Sequence, residues 1–281
     1  MNHHTDTITT ADGLQLFTQS WTPEGEARAH LLIVHGYAEH SSRYQHLAEF
    51  FTAEGFAVHT FDLRGHGKSG GKTGYVDRFE LYLKDLTTVF DHLKMQAKKK
   101  TFFLFGHSMG GAIAALYVIT RQPKQLNGVL LSGAALKVSD DISPLLQRVS
   151  GVLGEWLPKV KTIKLDTKAL SRDPAVVEDY ENDPLVYHGP VYARTGAELI
   201  RASKRIYANM EKLKLPVLIM HGTADRLTDM EGSKELERRA GTEEKRLELY
   251  NGLYHELVNE PEQKQVMGDM LEWMEKRMSG R

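Results

Sequence analysis

The run Phe102-Phe-Leu-Phe105 is apolar and β-prone, the next five residues are Gly106-His-Ser-Met-Gly110, and Ala112-Ile-Ala-Ala-Leu116 then forms helix readily. A strand that turns into a helix within a few residues holds its central residue on a sharp, strained bend, so the positions two before and two after must lack bulky side chains. Gly106 and Gly110 meet that need around Ser108. The bend also aims the first amides of the helix at one point, where they favour negative charge.

Short β-rich runs recur on either side of this unit: His30–His35, Phe56–Phe61, Thr101–Phe105, Gly128–Ser132, Val217–His221 and Arg246–Tyr250 each read as buried strands bounded by turn residues. Between them, Phe79, Leu83, Leu86, Phe90 and Leu93, and again Val266, Met270, Leu271 and Met274, fall at helical spacing. Leu14–Trp21 alternates loosely and reads as an antiparallel edge strand. The order predicts an α/β fold with a mostly parallel sheet of roughly eight strands covered by helices on both faces.

The rhythm stops between roughly Lys137 and Met210, where helical patterns follow one another without a strand. The expected division is therefore a core formed by residues 1–136 and 211–281 and a helical cap inserted at 137–210. Within the cap, Ser143-Pro144 has the form of an N-cap and first helical residue, followed by Leu145, Leu146, Val149, Val152, Leu153, Trp156 and Leu157 at helical spacing. That stripe either packs on the body or faces an acyl chain or a lipid surface, which leaves room for transient membrane or micelle contact. Lys98-Lys99-Lys100 reads as a solvated helix end.

Composition narrows the partners. The 36 Lys and Arg residues nearly cancel 37 Asp and Glu, so no long-range field selects nucleic acid, and a weakly charged small molecule is the simpler expectation. No apolar run approaches the roughly 20 residues that span a bilayer, and Met1–Thr10 is polar rather than leader-like, which points to the cytoplasm. With no cysteine, a thiol nucleophile and thiolate metal sites are excluded.

A serine hydroxyl stays protonated at neutral pH, so Ser108 needs a base within hydrogen-bond reach. On a strand–bend–helix scaffold of this kind the partners follow in the order serine, acid, histidine, on loops leaving the C-terminal edge of the sheet. Of 13 histidines, His255 lies on the loop after Arg246–Tyr250, and Asp225 lies on the loop after Val217–His221. Asp225 would fix the tautomer of His255 and stabilise the imidazolium formed during attack. Asp229 and Glu256 are the rival carboxylates, but Asp229 has the position of a helix cap and Glu256 directly follows the histidine. The oxyanion formed on attack needs two amide donors. Met109 is one, and Tyr37, in the loop His35-Gly-Tyr-Ala-Glu-His40, is the other. His35, His66 and His107 read as structural.

The stretches His35-Gly-Tyr-Ala-Glu-His-Ser-Ser-Arg-Tyr44, Asp62-Leu-Arg-Gly-His-Gly-Lys-Ser69, Gly106-His-Ser-Met-Gly-Gly111, Ser171-Arg-Asp-Pro174, Asn182-Asp-Pro-Leu185, His221-Gly-Thr-Ala-Asp-Arg-Leu227 and Tyr254-His255-Glu256 together resemble the monoacylglycerol lipase and lysophospholipase branch of the α/β-hydrolases. The resemblance spans most of the chain. It implies the α/β-hydrolase fold, with Ser108, Asp225 and His255 in the triad positions and Tyr37 and Met109 in the oxyanion positions. It also implies hydrolysis of a monoacyl lipid ester without metal or other cofactor, through an acyl-serine intermediate. Glu39 and Arg43 fall near the polar end expected for the alcohol, where they would either contact it or brace the loop as an ion pair. Leu145, Val149 and Leu153 would line the acyl path.

Three rival readings remain: a short-chain carboxylesterase or lysophospholipase with the same triad, an acyltransferase with the same machinery, and a non-catalytic binding protein on this fold. Acyl length and oligomeric state have no motif in the sequence.

Overall fold

A computed structural model of the chain describes residues 1–97, 101–138 and 154–279. Eight strands form one sheet: β1 (Asn2–Thr9), β2 (Gln15–Thr22), β3 (Ala29–Val34), β4 (Phe56–Phe61), β5 (Phe102–His107), β6 (Leu126–Ser132), β7 (Val217–Gly222) and β8 (Lys245–Tyr250). Their spatial order is β1-β2-β4-β3-β5-β6-β7-β8. β2 runs antiparallel to both β1 and β4, and every pair from β4 to β8 is parallel. β3, β5, β6 and β7 are buried along their whole length, as their unbroken apolar runs require of strands covered on two faces.

Helices cover both faces. On one side α2 (Glu80–Gln96), α3 (Met109–Arg121) and α5 (Ala193–Tyr207) contribute Leu83, Leu86, Phe90, Ile113, Leu116, Ala202 and Ile206 to a core with Leu32, Val34, Leu104, Leu131 and Ile219 of the sheet. On the other, α1 (Gln45–Ala53) and α7 (Gln263–Ser279) bring Leu47, Phe51, Val266, Met270, Trp273 and Met274 against Leu31, Ile33, Phe103, Phe105 and Leu130. Alternate residues of each strand therefore feed opposite cores, as a pleated strand dictates.

Three expectations need correction. Leu14–Trp21 does become the antiparallel strand β2, but β1 lies outside it and forms the edge. The polar segment Asn2–Thr9 offers few apolar residues to a core and is almost wholly exposed, so hydrophobic patterning could not reveal it as a strand. β8 is the opposite edge and only half-buried rather than buried, with Arg246 paired to Glu248 and Glu272 on its surface. The strand through Thr101–Phe105 continues to His107, so it carries the first two residues of the Gly-x-Ser-x-Gly segment as sheet.

Between β6 and β7 the described residues add no strand to the sheet. They form α4 (Pro174–Asn182), α5 and short 3-10 turns, with one isolated bridge between Lys161 and Tyr192. Asp173 caps α4, and Pro174 occupies its first turn. Ser143-Pro144, Leu145, Leu146, Val149, Val152 and Leu153 lie outside the described residues, as do Lys98–Lys100.

Candidate active site

Ser108 sits between β5 and α3 with φ 53° and ψ −118°, a conformation that costs a non-glycine residue of the order of 1–3 kcal/mol. The bend is possible only because its flanks are bare. A methyl group on Gly110 would lie 2.1 Å from the Val34 carbonyl oxygen, and one on Gly106 would lie 2.5 Å from that of Gly110. The loop after β3 crosses directly over the bend: a methyl on Gly36 would fall 3.2 Å from the Ser108 Cβ. Sequence positions more than 70 apart thus meet at one point.

The carboxylate and the imidazole assigned from the sequence meet at the same edge. His255 Nδ1 lies 2.8 Å from Asp225 Oδ2, and both side chains are almost completely buried. A carboxylate only accepts, so Nδ1 carries the proton and Nε2 is left as the basic nitrogen. Asp225 is held from several sides. Its Oδ1 accepts from the backbone amides of Leu227 (2.7 Å) and Thr228 (3.2 Å), and its Oδ2 accepts from the Thr228 hydroxyl at 2.8 Å. His221 Nε2 lies 3.2 Å from the same Oδ2, while its Nδ1 contacts the Ser233 hydroxyl at 2.8 Å.

Burial alone would push the Asp225 carboxyl up, but the charge of His255 and the hydrogen bonds from His221 and His255 outweigh it and hold it far below the usual carboxylate range. For His255 the balance has the opposite sign. Burial would lower it, yet Asp225, with Glu256 and Glu39 adding negative charge, raises it above the ordinary 6.5. A base must be neutral to take a proton, so with His255 in that role activity would fall as pH drops through this raised value. The acid limb of the kcat/KM profile is expected to have its midpoint above pH 6.5; a midpoint below that would contradict this electrostatic picture.

His107, His35 and His66 behave as structural groups. His107 Nδ1 bonds the Ser132 carbonyl at 3.1 Å, its ring lies 4.6 Å from that of His255, and burial next to His255 pushes it down to about 4. His35 Nε2 accepts from the Leu63 amide at 2.9 Å, and His66 bonds the Arg64 carbonyl at 3.0 Å. Burial lowers these two to about 4 and about 3 respectively. Asp229 caps α6 (Met230–Arg239), as its position in the sequence indicates.

The two residues assigned as amide donors flank Ser108. Met109 is the first residue of α3, and Tyr37 follows Gly36. The Tyr37 side chain anchors its own loop: its hydroxyl donates to the Gly74 carbonyl at 3.0 Å, and its ring packs edge-on against His66 and Tyr187. Glu39 and Arg43 meet as an ion pair at 3.0 Å, and Arg43 also forks onto Glu256 at 2.7 and 2.8 Å. Sequence reasoning passed over His221 and Thr228. The four-residue spacing from His221 to Asp225 was there to be read, but no periodicity marks the end of a strand or a loop residue as a carboxylate's support.

Ser108 and His255 line a cavity of about 280 Å³. Its lining is mostly apolar, with Ile163, Leu165, Leu170, Val191, Leu199, Ile200 and Leu227, and Glu39 and Glu256 are its carboxylates. Leu145, Val149 and Leu153, assigned to the acyl path from the sequence, lie outside the described residues.

A sheet of this order with a serine bend after its central strand defines the α/β-hydrolase fold. The family model described as "Serine aminopeptidase, S33" matches residues 25–262. A monoacylglycerol lipase of Mycolicibacterium smegmatis is 38% identical over 262 residues, covering 93% of each chain, and a monoglyceride lipase of Rattus norvegicus is 33% identical over 97% of this chain and 90% of its own. The crystal structure of Paleococcus ferrophilus monoacylglycerol lipase superposes with a TM-score of 0.84 at 33% identity, covering 93% of this chain and 99% of the other. The chain belongs to this serine-hydrolase family, in the branch that contains the monoacylglycerol lipases.

Proposed function

We propose that the protein hydrolyses the ester of monoacylglycerols, with Ser108 as nucleophile, His255 as general base and then acid, and Asp225 orienting the imidazole. The observation that carries this reading is the cavity, whose mostly apolar lining includes Ser108 and His255 together with the carboxylates Glu39 and Glu256. His255 takes the serine proton as Oγ attacks the carbonyl, and the amides of Tyr37 and Met109 receive the oxyanion. The imidazolium then protonates the departing glycerol, and water repeats the cycle on the acyl-serine.

The described residues 154–210 of the insertion act as a cap that walls the acyl path, since Ile163, Leu165, Leu170, Val191, Leu199 and Ile200 all come from them. The cavity lies near the lower end of ordinary ligand sites, about 300–1,000 Å³, which favours one acyl chain over three. Its lining includes two carboxylates, Glu39 and Glu256, held by the one guanidinium of Arg43 behind them. A neutral glycerol is accepted there, whereas a phosphate is repelled. This favours the monoacylglycerol over the lysophospholipid reading.

A substrate panel tests the function. With one acyl chain throughout, kcat/KM is expected to be about tenfold or more higher for the monoacylglycerol than for the lysophospholipid or triacylglycerol, a difference of about 1.4 kcal/mol. Equal turnover of the phospholipid, or preference for short nitrophenyl esters irrespective of glycerol, would overturn the substrate assignment.

The cap also supplies a lipid-facing surface. Trp156, Leu157, Val160 and Ile163 are exposed, at 80%, 53%, 41% and 72%, and are interleaved with exposed Lys159, Lys161 and Lys164. Ile163 also lines the cavity, so the patch adjoins the acyl path. Apolar side chains among lysines suit transient contact with an anionic bilayer. Among the described residues no helix is long and apolar enough to cross a membrane. Sedimentation with phosphatidylglycerol vesicles is expected to weaken about tenfold in the Trp156→Ala/Ile163→Ser variant; unchanged sedimentation would contradict docking through this patch.

A further inference from the structure

We propose that Glu39, Arg43 and Glu256 form a positioning device that locks the loop carrying Tyr37 to the loop carrying His255 and leaves one uncompensated negative charge behind the imidazole. It rests on the Ser108–His255 reading above and adds residues that act through that pair.

The geometry is continuous from one loop to the other. Glu39 Oε1 accepts from the Gly36 amide at 2.5 Å and from the Tyr44 hydroxyl at 2.9 Å. This fixes the His35–Gly36 peptide unit, one before the unit that carries the Tyr37 amide. The other oxygen of Glu39 accepts from Arg43 Nη1 at 3.0 Å. Arg43 then grips both oxygens of Glu256, the residue next to His255, and the Asn259 side-chain amide donates to Glu256 Oε2 at 2.8 Å. The guanidinium is covered by the Tyr180 ring at 4.8 Å. All three charged side chains are nearly buried, at 4%, 11% and 3% exposure for Glu39, Arg43 and Glu256.

Two carboxylates and one guanidinium leave a net charge of −1 out of water, an arrangement that stability alone does not favour. It becomes favourable when a positive charge forms nearby. His255 acquires that charge during attack, with Asp225, Glu256 and Glu39 the carboxylates acting on it, the neutral ring of His107 beside it and the Arg43 guanidinium opposing them from behind Glu256. The device therefore favours the transition state over the resting enzyme, besides holding the amide and the base in register. Glu39 and Glu256 line the cavity wall, whereas Arg43 is not among its lining residues.

The test uses the near-isosteric variants Glu39→Gln and Glu256→Gln, each of which removes one charge from the trio and turns an amide N–H2 toward the Arg43 guanidinium. Each is assayed with a monoacylglycerol and with a nitrophenyl ester of the same acyl chain, which has no glycerol. Expected are a fall in kcat between about tenfold and a hundredfold on both esters, KM changed less than about twofold, and an acid limb moved to lower pH because the imidazolium has lost a partner. The double variant is expected to lose less kcat than the product of the single losses, since Arg43 links the two carboxylates, while the shifts of the acid limb add. Thermal melting separates misfolding from mispositioning, and Glu256→Asp is expected to restore the pH limb in part. An effect confined to KM on the glycerol ester would make these residues alcohol contacts and overturn the proposal. A lowered Tm with an unmoved pH limb and normal kcat on both esters would equally overturn it. The nitrophenyl arm reads out even if glycerol esters are not the substrate, so the two readings fail separately.

Discussion

Replacing Ser108 by alanine is expected to lower kcat for ester hydrolysis by between about 10⁴-fold and 10⁶-fold while leaving substrate binding nearly intact. The alcohol oxygen is the only atom removed, and the cavity wall is otherwise unchanged. The backbone gives a second readout at the same position. Ser108 holds φ 53°, and alanine keeps the strained Cβ, whereas glycine removes it. Ser108→Gly should therefore be as inactive as Ser108→Ala but melt at a higher temperature. Residual activity near wild type in either variant would mean that another group attacks the ester.

Asp225→Asn is expected to cost about 10⁴-fold in kcat, with little change in fold. The direction follows from the hydrogen bonds. The amides of Leu227 and Thr228 both donate to Oδ1, so the asparagine carbonyl must occupy that side. Its N–H2 then replaces Oδ2 and faces His255 Nδ1, His221 Nε2 and the Thr228 hydroxyl. A donor aimed at Nδ1 forces the proton onto Nε2, and the nitrogen that should receive the serine proton is already occupied. A loss of only about tenfold would indicate that His255 keeps its working tautomer without a carboxylate.

How far the sequence discloses this architecture depends on the kind of signal each part leaves. The buried central strands were legible because two-sided burial demands continuous apolar runs, as in Leu31–Val34 and Val217–Met220. Ser108 was legible because its bend restricts residue size on both sides, which writes Gly106 and Gly110 into the chain. Asp225 and His255 followed from chain order and from the strands before them. β1 was not legible, because an edge strand facing water on both sides needs no apolar alternation. The supports of the site were hidden for another reason. His221, Thr228 and Glu256 act by direction and distance across loops, and Arg43 reaches Glu256 over a separation of 213 residues that no local pattern encodes.

The central claim is that Ser108 becomes a nucleophile through His255, and covalent capture tests it most directly. After incubation with an alkyl fluorophosphonate, mass spectrometry of the digested protein should place a single phosphonyl adduct on the peptide containing Ser108, and His255→Ala should form it far more slowly. An adduct on a different residue, or undiminished labelling in His255→Ala, would contradict the account.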